Sequence, residues 1–426
     1  MCYAIPGKVI AVEGKIATIE YFGEHRKAQL VFDSASSGDY VYAQGGVVVG
    51  KVPEAEAIEI LEHWKKQFFE LKEVDERISS VQPSSGALSV IIDKAESGRI
   101  LTRGEMRQIL STGGDALPQL YRAANHIRKS CLDNACCVHG IIEFSNNCMN
   151  NCLYCGISRG NDALIRYRMG KGEIMEAVDH AVEKLGFKAL VLQSGEDAYY
   201  SDDLLVELVR EIKGKHGILI FMSVGERSAE CYWRLYKAGA YGALIRFETS
   251  SKRIYEQVRP GKKLENRLGL IRELKKMGFV LATGFLIGLP GQTDDDLIND
   301  VLLTKSLQPD MFSFGPFIPH PQTPLASSKK PALDDALKVI ALSRLVDPHS
   351  KILVTTALET LGEGAKKAGL MAGGNSLMIN TTPEKYRLCY DLYPGKTGEG
   401  GAVEKTIEET VRLLHSLGRA PTDLGL

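Results

Sequence analysis

The chain has 426 residues, a length that suggests one large barrel or two domains, and its 44% hydrophobic and 25% charged residues are typical of a globular protein. With 52 Lys and Arg against 53 Asp and Glu, the net charge of -1 gives no support for a nucleic-acid or anionic-membrane partner. No signal-peptide pattern and no 18-residue apolar run is present, so the nine cysteines predict metal-binding, catalytic or buried thiols in a reducing cytoplasm.

The first 78 residues predict a small domain. Short runs rich in Val, Ile and Tyr alternate with turn signals up to about residue 52, which favours a small antiparallel, OB-like β-barrel. From Pro53 to about Arg77, apolar residues recur at three- and four-residue spacing, which predicts a helix that packs on this barrel. Residues 79–89 are polar and rich in Ser, Pro and Gly, as in a linker, and we place the domain boundary there.

Residues 90–426 predict an α/β fold, a (β/α)8 barrel of the TIM type. Helical segments run to about Cys131, and eight apolar runs then alternate with helical stretches. Polar residues follow these runs, at the strand ends where such barrels build their active sites. The eight predicted strands lie in VHGIIEFS, KALVLQSGED, ILIFMSVGE, GALIRFETS, VLATGFLIGLPGQT, MFSFGPFIPHP, KILVTTALET and NSLMIN.

Three cysteines follow the first predicted barrel strand at C-x3-C-x2-C spacing: Cys148, Cys152 and Cys155. A closed zinc site or a fully ligated four-iron cluster needs four ligands. The cysteines that could complete a zinc site precede the strand and would lie at the opposite end of the barrel, namely Cys131, Cys136 and Cys137. The better interpretation is a 4Fe-4S cluster with three cysteine ligands and one open iron.

This motif, with Tyr154 before the last cysteine, resembles the hallmark of the radical SAM superfamily. The resemblance implies that S-adenosylmethionine binds the open iron through its amine and carboxylate. One electron from the cluster would then split a C–S bond and release a 5'-deoxyadenosyl radical, chemistry that the cofactors carry while the protein positions them.

A series of segments narrows the resemblance to the HydE-type maturases of iron-only hydrogenase, relatives of biotin synthase and methylornithine synthase. The match covers nearly all of residues 90–396 and implies an enzyme of H-cluster assembly. The segments that carry it are IIEFSNNCMNNCLYCGISR, YRM, LVLQSGEDAYY, GLPGQTDDDL, GPFIPHPQTPLA, TTALETL and YRLCYDLYPGK.

This resemblance also implies roles for individual residues. The segment Gln193, Ser194, Gly195, Glu196 and Asp197 would hold the methionyl amine, although such a cluster is more commonly a turn with a helix cap. Arg246 and Glu248 alternate at a strand end and so point to the same side, where Glu248 would bind polar groups of the cofactor. Arg267 would bind the methionyl carboxylate with a fork of donors.

A second group matches positions that line the substrate cavity in this family, and each member could equally be ordinary packing. The group comprises Thr355, Thr356, Met378, Tyr390 and Tyr393. GFLIGLPGQT lacks the G-x-G-x-x-G spacing of a dinucleotide site, so NAD is rejected. His320, between two prolines, is interpreted as a rigid loop residue rather than a ligand.

The sequence departs from the HydE pattern in two places. No cysteine follows YPGK, where an accessory cluster is often bound, so we predict one cluster only. Phe247 stands where the family tends to have histidine, which leaves the radical's target open.

The first domain resembles the HypC/HupF family of nickel-iron hydrogenase assembly chaperones through MCYAIPGKVIAVEG and SSGDYVYAQGGVVVGKVPEAEAIEILE. Cys2 matches the cysteine that binds iron with diatomic ligands in that family, and Gln44 replaces a frequent histidine. Together the two resemblances imply that an iron synthon is received or delivered at Cys2 and modified in the barrel.

The implied partners are a small-molecule or organometallic iron-thiolate substrate, an electron donor such as ferredoxin or flavodoxin, and other hydrogenase maturation proteins. Three alternatives stay open. The first is a biotin-synthase-like sulfur insertion, which would usually need a second cluster. The second is a methylornithine-type rearrangement, which would not need one. The third is a non-catalytic iron-binding scaffold, which would not cleave S-adenosylmethionine.

Overall fold

The computed structural model describes residues 4–31, 35–80, 87–396 and 401–423. The first domain is a closed five-stranded barrel in the order β1-β2-β3-β5-β4, which confirms the small β-barrel. All described pairs are antiparallel except β3 with β5, which pair in parallel at Gln29 and Val47. Its strands are β1 (Gly7–Glu13), β2 (Ile16–Tyr21), β3 (Glu24–Gln29), β4 (Tyr40–Gln44) and β5 (Val47–Val52).

Helix α1 (Glu54–Ser79) follows and places Trp64, Phe68 and Leu71 in the core of the small barrel. Helices α2 (Ala87–Glu96), α3 (Arg103–Leu110) and α4 (Leu117–Leu132) come next. Most of the predicted linker lies outside the described residues, so the domain boundary stays a prediction.

Eight parallel strands form the second barrel in the order β14-β12-β10-β9-β8-β7-β6-β15, and a bridge between Leu353 and Ser376 joins the two outer strands. Each strand falls within one of the eight predicted runs, except that β6 begins at Cys137, and the barrel prediction is confirmed. The eight are β6 (Cys137–Ser145), β7 (Ala189–Ser194), β8 (Leu219–Ser223), β9 (Gly242–Leu244), β10 (Val280–Thr283), β12 (Met311–Phe312), β14 (Lys351–Ile352) and β15 (Ser376–Asn380); β11 (Leu286–Ile287) and β13 (Gly315–Pro316) pair separately.

Helices surround the eight strands, and within the described ranges no helix has the length and apolar character needed to cross a membrane. The remaining helices are α5 (Lys171–Asp179), α6 (Asp202–Lys215), α7 (Ala229–Ala238), α8 (Lys252–Val258), α9 (Leu264–Lys276), α10 (Asp294–Ser306), α11 (Leu333–Val346), α12 (Thr356–Glu359), α13 (Ala365–Met371), α14 (Glu384–Arg387) and α15 (Val403–Ser416).

The small barrel closes the N-terminal end of the large one. Val47 and Val49 of β5 share a core with inward-facing residues of the large barrel, among them Val191 and Leu219. Gly45, in the turn before β5, has a φ of 60°, and a Cβ there would lie 2.9 Å from the Leu219 side chain. The β4–β5 turn therefore plugs this end, and the main cavity of the barrel opens at the opposite end.

Candidate functional site

The three-cysteine loop begins where β6 ends and is held in shape by one arginine. Arg166 donates through Nη1 and Nη2 to backbone carbonyls of Asn146, Ile157, Ser158 and Asn161, at 2.6 to 3.1 Å. A guanidinium has five donors in a fixed plane, so one side chain can order several turns of irregular backbone. The cysteines consequently lie on a loop whose shape is set before any ligand binds.

Two glycines allow other segments to approach this loop closely. A Cβ on Gly195, after β7, would lie 2.2 Å from the Asn147 carbonyl oxygen and 2.7 Å from Cys148 Cβ. A Cβ on Gly156 would lie 2.0 Å from the Asp391 carbonyl oxygen. Contacts this short exclude any side chain at either position. The β7 end and residues 389–396, which we call the C-terminal strap, therefore pack directly against the cysteine loop.

A cavity of about 310 Å³ opens at this end of the barrel. With the exception of Asp197, the candidate residues in the described part of the chain line it, although they come from separate strand ends and loops. They are Cys148, Cys152, Tyr154, Cys155, Gln193, Ser194, Glu196, Arg246, Glu248, Arg267, Thr355, Thr356, Met378, Tyr390 and Tyr393. Asp197 does not line the cavity; it binds Arg168 at 2.7 Å and Ser145 Oγ at 2.7 Å. Cys2 lies outside the described residues.

The three thiols suit an iron-sulfur cluster better than one zinc ion. All three are free cysteines, and burial raises the pKa of the Cys148 and Cys155 thiols, with the neighbouring cysteines raising that of Cys155 further. A tetrahedral zinc site of the closed type needs a fourth protein ligand, and the other cysteines near β6, Cys136 and Cys137, lie at its opposite end. A cluster spreads its ligands over separate irons and its positive charge offsets the cost of burying thiolates.

Arg246 and Glu248 lie beyond β9, which ends at Leu244, so strand alternation does not bring them together as predicted. Glu248 instead has a φ of 66°, and its Oε2 lies 3.5 Å from Arg246 Nη2. This oxygen is buried and has no hydrogen-bond partner among the described residues. A buried carboxylate oxygen without a donor is costly, so the arrangement suits a ligand that brings hydroxyl or ammonium donors.

Arg267 belongs to a buried network that the sequence prediction missed. Its Nε lies 2.7 Å from Glu226 Oε1, and its Nη2 lies 3.6 Å from Glu196 Oε1. Lys262 lies between the same two carboxylates, at 3.3 and 3.4 Å. Glu226 follows β8 in the segment MSVGE, and its position at a strand end is the feature of the sequence that could have identified it as a site residue. The network fixes Arg267 at the edge of the cavity.

We expect Glu226→Gln to raise the KM for S-adenosylmethionine about 10-fold or more, because it removes the carboxylate charge that lies 2.7 Å from Arg267 Nε, and loss of a residue that orients a site typically costs about 10- to 100-fold. The kcat should change less, since Glu226 acts through the position of Arg267. Steady-state assays at varied S-adenosylmethionine give both constants. Glu265→Gln is the matched control. Glu265 lies on α9, the helix of Arg267, but it is exposed and pairs with Lys252 at 2.7 Å. Equal effects of the two variants would contradict this role.

A second missed group lies on the substrate side of the cavity. The buried Lys396 ammonium, on the C-terminal strap, is paired with Glu143 of β6, which also accepts a hydrogen bond from Asn380 at 2.8 Å. Lys396 also lies 5.1 Å from the centre of the Tyr390 ring. Because the strap also carries Tyr390 and Tyr393, the ion pair between Lys396 and Glu143 holds both tyrosine rings over the cavity. Glu143 and Lys396 lie in the quoted segments IIEFSNNCMNNCLYCGISR and YRLCYDLYPGK, but nothing in the sequence indicates that the two side chains pair.

We expect Lys396→Met to slow formation of 5'-deoxyadenosine by about 10- to 100-fold, as loss of a residue that orients a site typically does. The variant leaves Glu143 buried without its cation, so the strap should open and the cluster should bleach faster in air. Lys385→Met is the control, since Lys385 is exposed and pairs with Glu173. Unchanged rates and an unchanged bleaching time would show that the strap is not held by this pair.

Other predicted residues lie apart from the cavity. His320 is buried with Nε2 2.9 Å from Asp391 Oδ2, and it accepts from the Gln322 amide through Nδ1, so it fastens the strap. Phe247 packs in the outer core near Phe285 and does not line the cavity. Cys136 and Cys137 lie at the opposite end of β6, as expected.

Comparison with known proteins agrees with this geometry. The model of the Radical SAM superfamily matches residues 142–303, and that of the HupF/HypC family matches residues 1–64. The [FeFe] hydrogenase maturase subunit HydE of Thermotoga maritima is 41% identical over 332 residues, which cover 78% of this chain and 94% of that protein.

Two further relatives share the barrel. The 3-methylornithine synthase of Methanosarcina acetivorans is 31% identical over 286 residues, or 66% of this chain and 80% of that protein. The crystal structure of methylornithine synthase (PylB) superposes with a TM-score of 0.70 at 27% identity and covers 78% of this chain and 97% of that one. The chain therefore belongs to the HydE family of radical SAM enzymes and carries a HupF/HypC domain at its N-terminus.

Proposed function

We propose that this protein is a hydrogenase maturase that uses one 4Fe-4S cluster, held by Cys148, Cys152 and Cys155, to cleave S-adenosylmethionine during assembly of the iron cofactor. One observation carries the proposal: a single cavity joins the three thiols to the polar strand ends of the barrel. The HydE relative, whose name states hydrogenase maturation, supports the assignment.

The cofactor side of the cavity is polar and charged. Gln193 and Ser194 end β7, Glu196 and Glu248 lie in loops beyond β7 and β9, and Arg267 lies on α9. S-adenosylmethionine offers an ammonium, a carboxylate and ribose hydroxyls, which these carboxylates and this guanidinium complement. Bound there with the cluster, it supplies reductive cleavage to a 5'-deoxyadenosyl radical. Cys152 is buried and Tyr154 is partly buried, and both shield this side from water.

The substrate side combines apolar and hydroxyl groups. Thr356 Oγ1 and the Tyr393 hydroxyl lie 2.5 Å apart, and burial raises the pKa of Tyr393, so its proton stays on the oxygen. Met378 and Thr355 line the same region, and Arg246 supplies a cation. Such a pocket fits a compact anionic iron-thiolate complex, with the strap excluding water.

A ferredoxin or flavodoxin would deliver the electron, and other maturation proteins would supply or receive the iron complex. The HupF/HypC match supports contact with hydrogenase assembly machinery. In this proposal the first domain carries an iron synthon at Cys2. It would exchange that synthon with a partner protein, since the described part of this domain lies at the closed end of the barrel.

Activation of an apo-hydrogenase tests this function. A cell-free maturation mixture lacking only its HydE-type component should gain hydrogen evolution when the reconstituted full chain is added. The Cys152→Ala chain should give no gain. If wild-type protein forms 5'-deoxyadenosine but never activates the hydrogenase, the radical chemistry stands and the maturation role is wrong. A methylornithine-type or sulfur-insertion reaction is then the better assignment.

A further inference from the structure

Cys137, His139 and Asp423 meet at the closed end of the large barrel, far along β6 from the three-cysteine loop. Their ligand atoms, one from each residue, all lie within 4.8 Å of one another, and all three side chains are buried. We call this group the junction cluster, because it lies where the barrel meets the first domain. It has no part in the cavity described above.

The β-strand period brings two of these residues together. Cys137 and His139 are two positions apart on β6, so both side chains point into the barrel, while Val138 between them points into the outer helical core. Ile141 and Glu143 continue the inward face towards the cavity. Asp423 comes from the far end of the chain, so the cluster forms only when the C-terminal segment has packed beneath the barrel.

His139 is the observation that points to a ligand. It is 1% exposed, and neither ring nitrogen has a hydrogen-bond partner among the described residues. A neutral imidazole carries a proton on one nitrogen and offers a lone pair on the other. A buried polar atom without a partner costs about 1 to 3 kcal/mol, and such atoms are rare unless an ion or water satisfies them.

The surrounding groups orient the carboxylate as outer partners of metal sites do. Asp423 Oδ2 accepts from the Gly45 amide at 2.7 Å and from Lys351 Nζ at 2.6 Å. A bound cation would displace the proton of the Cys137 thiol, because cysteine binds metal ions as the thiolate. The thiolate and the carboxylate then offset part of the positive charge of a divalent ion and of the Lys351 ammonium.

We propose that Cys137, His139 and Asp423 bind one divalent transition metal ion of the zinc or ferrous class at the junction of the two domains. Thiolate, imidazole and carboxylate together are the donor set of such ions, and magnesium or calcium would prefer oxygen alone.

The site has a structural consequence. The ion would tie β6 to the C-terminal segment, and Asp423 would pass the constraint to the first domain through Gly45. Metal binding should therefore raise the melting temperature of the whole chain, because an ion that binds only the folded state stabilises it. This inference does not depend on hydrogenase maturation, since it uses none of the cavity residues.

Cobalt(II) binding tests the proposal without interference from the cluster. The full chain with Cys148→Ala, Cys152→Ala and Cys155→Ala is stripped of metal and titrated anaerobically with Co(II), with absorbance recorded in the near ultraviolet and visible. We expect one Co(II) per chain with a thiolate charge-transfer band. Adding Cys137→Ser should remove the band, and His139→Leu should weaken binding by at least about 100-fold, more than an outer partner costs. Zn(II) and Fe(II) competition then ranks the ions.

Cys136→Ser is the matched control, because Cys136 is the adjacent buried cysteine and does not belong to the junction cluster. The Cys136→Ser chain should keep the charge-transfer band, and Zn(II) should still raise its melting temperature. The His139→Leu chain should show no rise in melting temperature with Zn(II). Without metal it should still unfold cooperatively, which shows that it is folded. Absence of Co(II) binding would overturn the proposal. So would binding that survives Cys137→Ser and His139→Leu, or that is lost only with Cys2→Ala, which would locate the metal on the first domain.

Discussion

Replacing Cys152 by alanine is expected to reduce 5'-deoxyadenosine formation to the uncatalysed background. The side chain is buried at the cavity wall, and its neighbours Cys148 and Cys155 line the same wall. With two thiolates left, a four-iron cluster has two unprotected irons and is lost during reconstitution. Cys148→Ala and Cys155→Ala should have the same effect, because each removes one of the three ligands. The assay is anaerobic incubation with dithionite and S-adenosylmethionine, followed by chromatography.

Cys231→Ala is the matched control for this series. Cys231 is equally buried but lies in α7, outside the cavity. It should bind four irons per chain and cleave S-adenosylmethionine at the wild-type rate. Cleavage by the Cys152→Ala chain at more than background would show that the motif does not hold the cluster. Full iron binding without cleavage by the wild-type chain would favour the scaffold alternative.

The second large effect concerns stability. Asp75→Asn should lower the free energy of unfolding by about 3 to 5 kcal/mol, because it breaks a buried ion pair and leaves buried charge behind. Asp75, on α1, binds Arg128 of α4 through both oxygens at 2.6 and 2.7 Å, with the two side chains 1% and 0% exposed. Arg419 Nε lies 3.5 Å from the same carboxylate. The substitution thus removes the anion between two buried guanidinium groups.

Urea denaturation followed by circular dichroism measures this loss. Glu70→Gln is the control on the same helix: Glu70 pairs with Lys66 at 3.6 Å, but their side chains are 62% and 87% exposed. An exposed pair of this spacing contributes about 0.3 to 0.5 kcal/mol, so the control should unfold almost as the wild type does. Similar midpoints for Asp75→Asn and the wild type would mean that this contact does not join α1 to the large barrel.

The eight strands could be predicted because each is an apolar run bounded by turn residues, and β6 or β7 needs no tertiary information to be recognised. The packing of the β4–β5 turn against the end of the large barrel could not be predicted in this way. Val47 and Val49 look like ordinary strand residues of a small barrel, and only the assembled structure shows them packed against Leu219. A face buried between two domains has the same sequence pattern as one buried within a domain.

The site also has a part that the sequence predicts and a part that it does not. Cys148, Cys152 and Cys155 lie within eight residues of one another, so their spacing alone indicates a cluster site. Glu226 and Lys396 act through partners far along the chain, and a single charged residue in a loop is usually exposed. Arg246 and Glu248 were predicted from strand alternation to point to the same side, but β9 ends before both, and the left-handed backbone at Glu248 has no signal in the sequence.

The most direct test of the central claim is to locate S-adenosylmethionine on the reduced cluster. Reconstituted protein is frozen with S-adenosylmethionine carrying ¹⁵N in its amine or ¹⁷O in its carboxylate, and electron-nuclear double resonance is recorded. The account predicts hyperfine coupling of both nuclei to the cluster spin, because the three cysteines leave one iron open to both groups. A cluster signal with no coupling to either nucleus would contradict it.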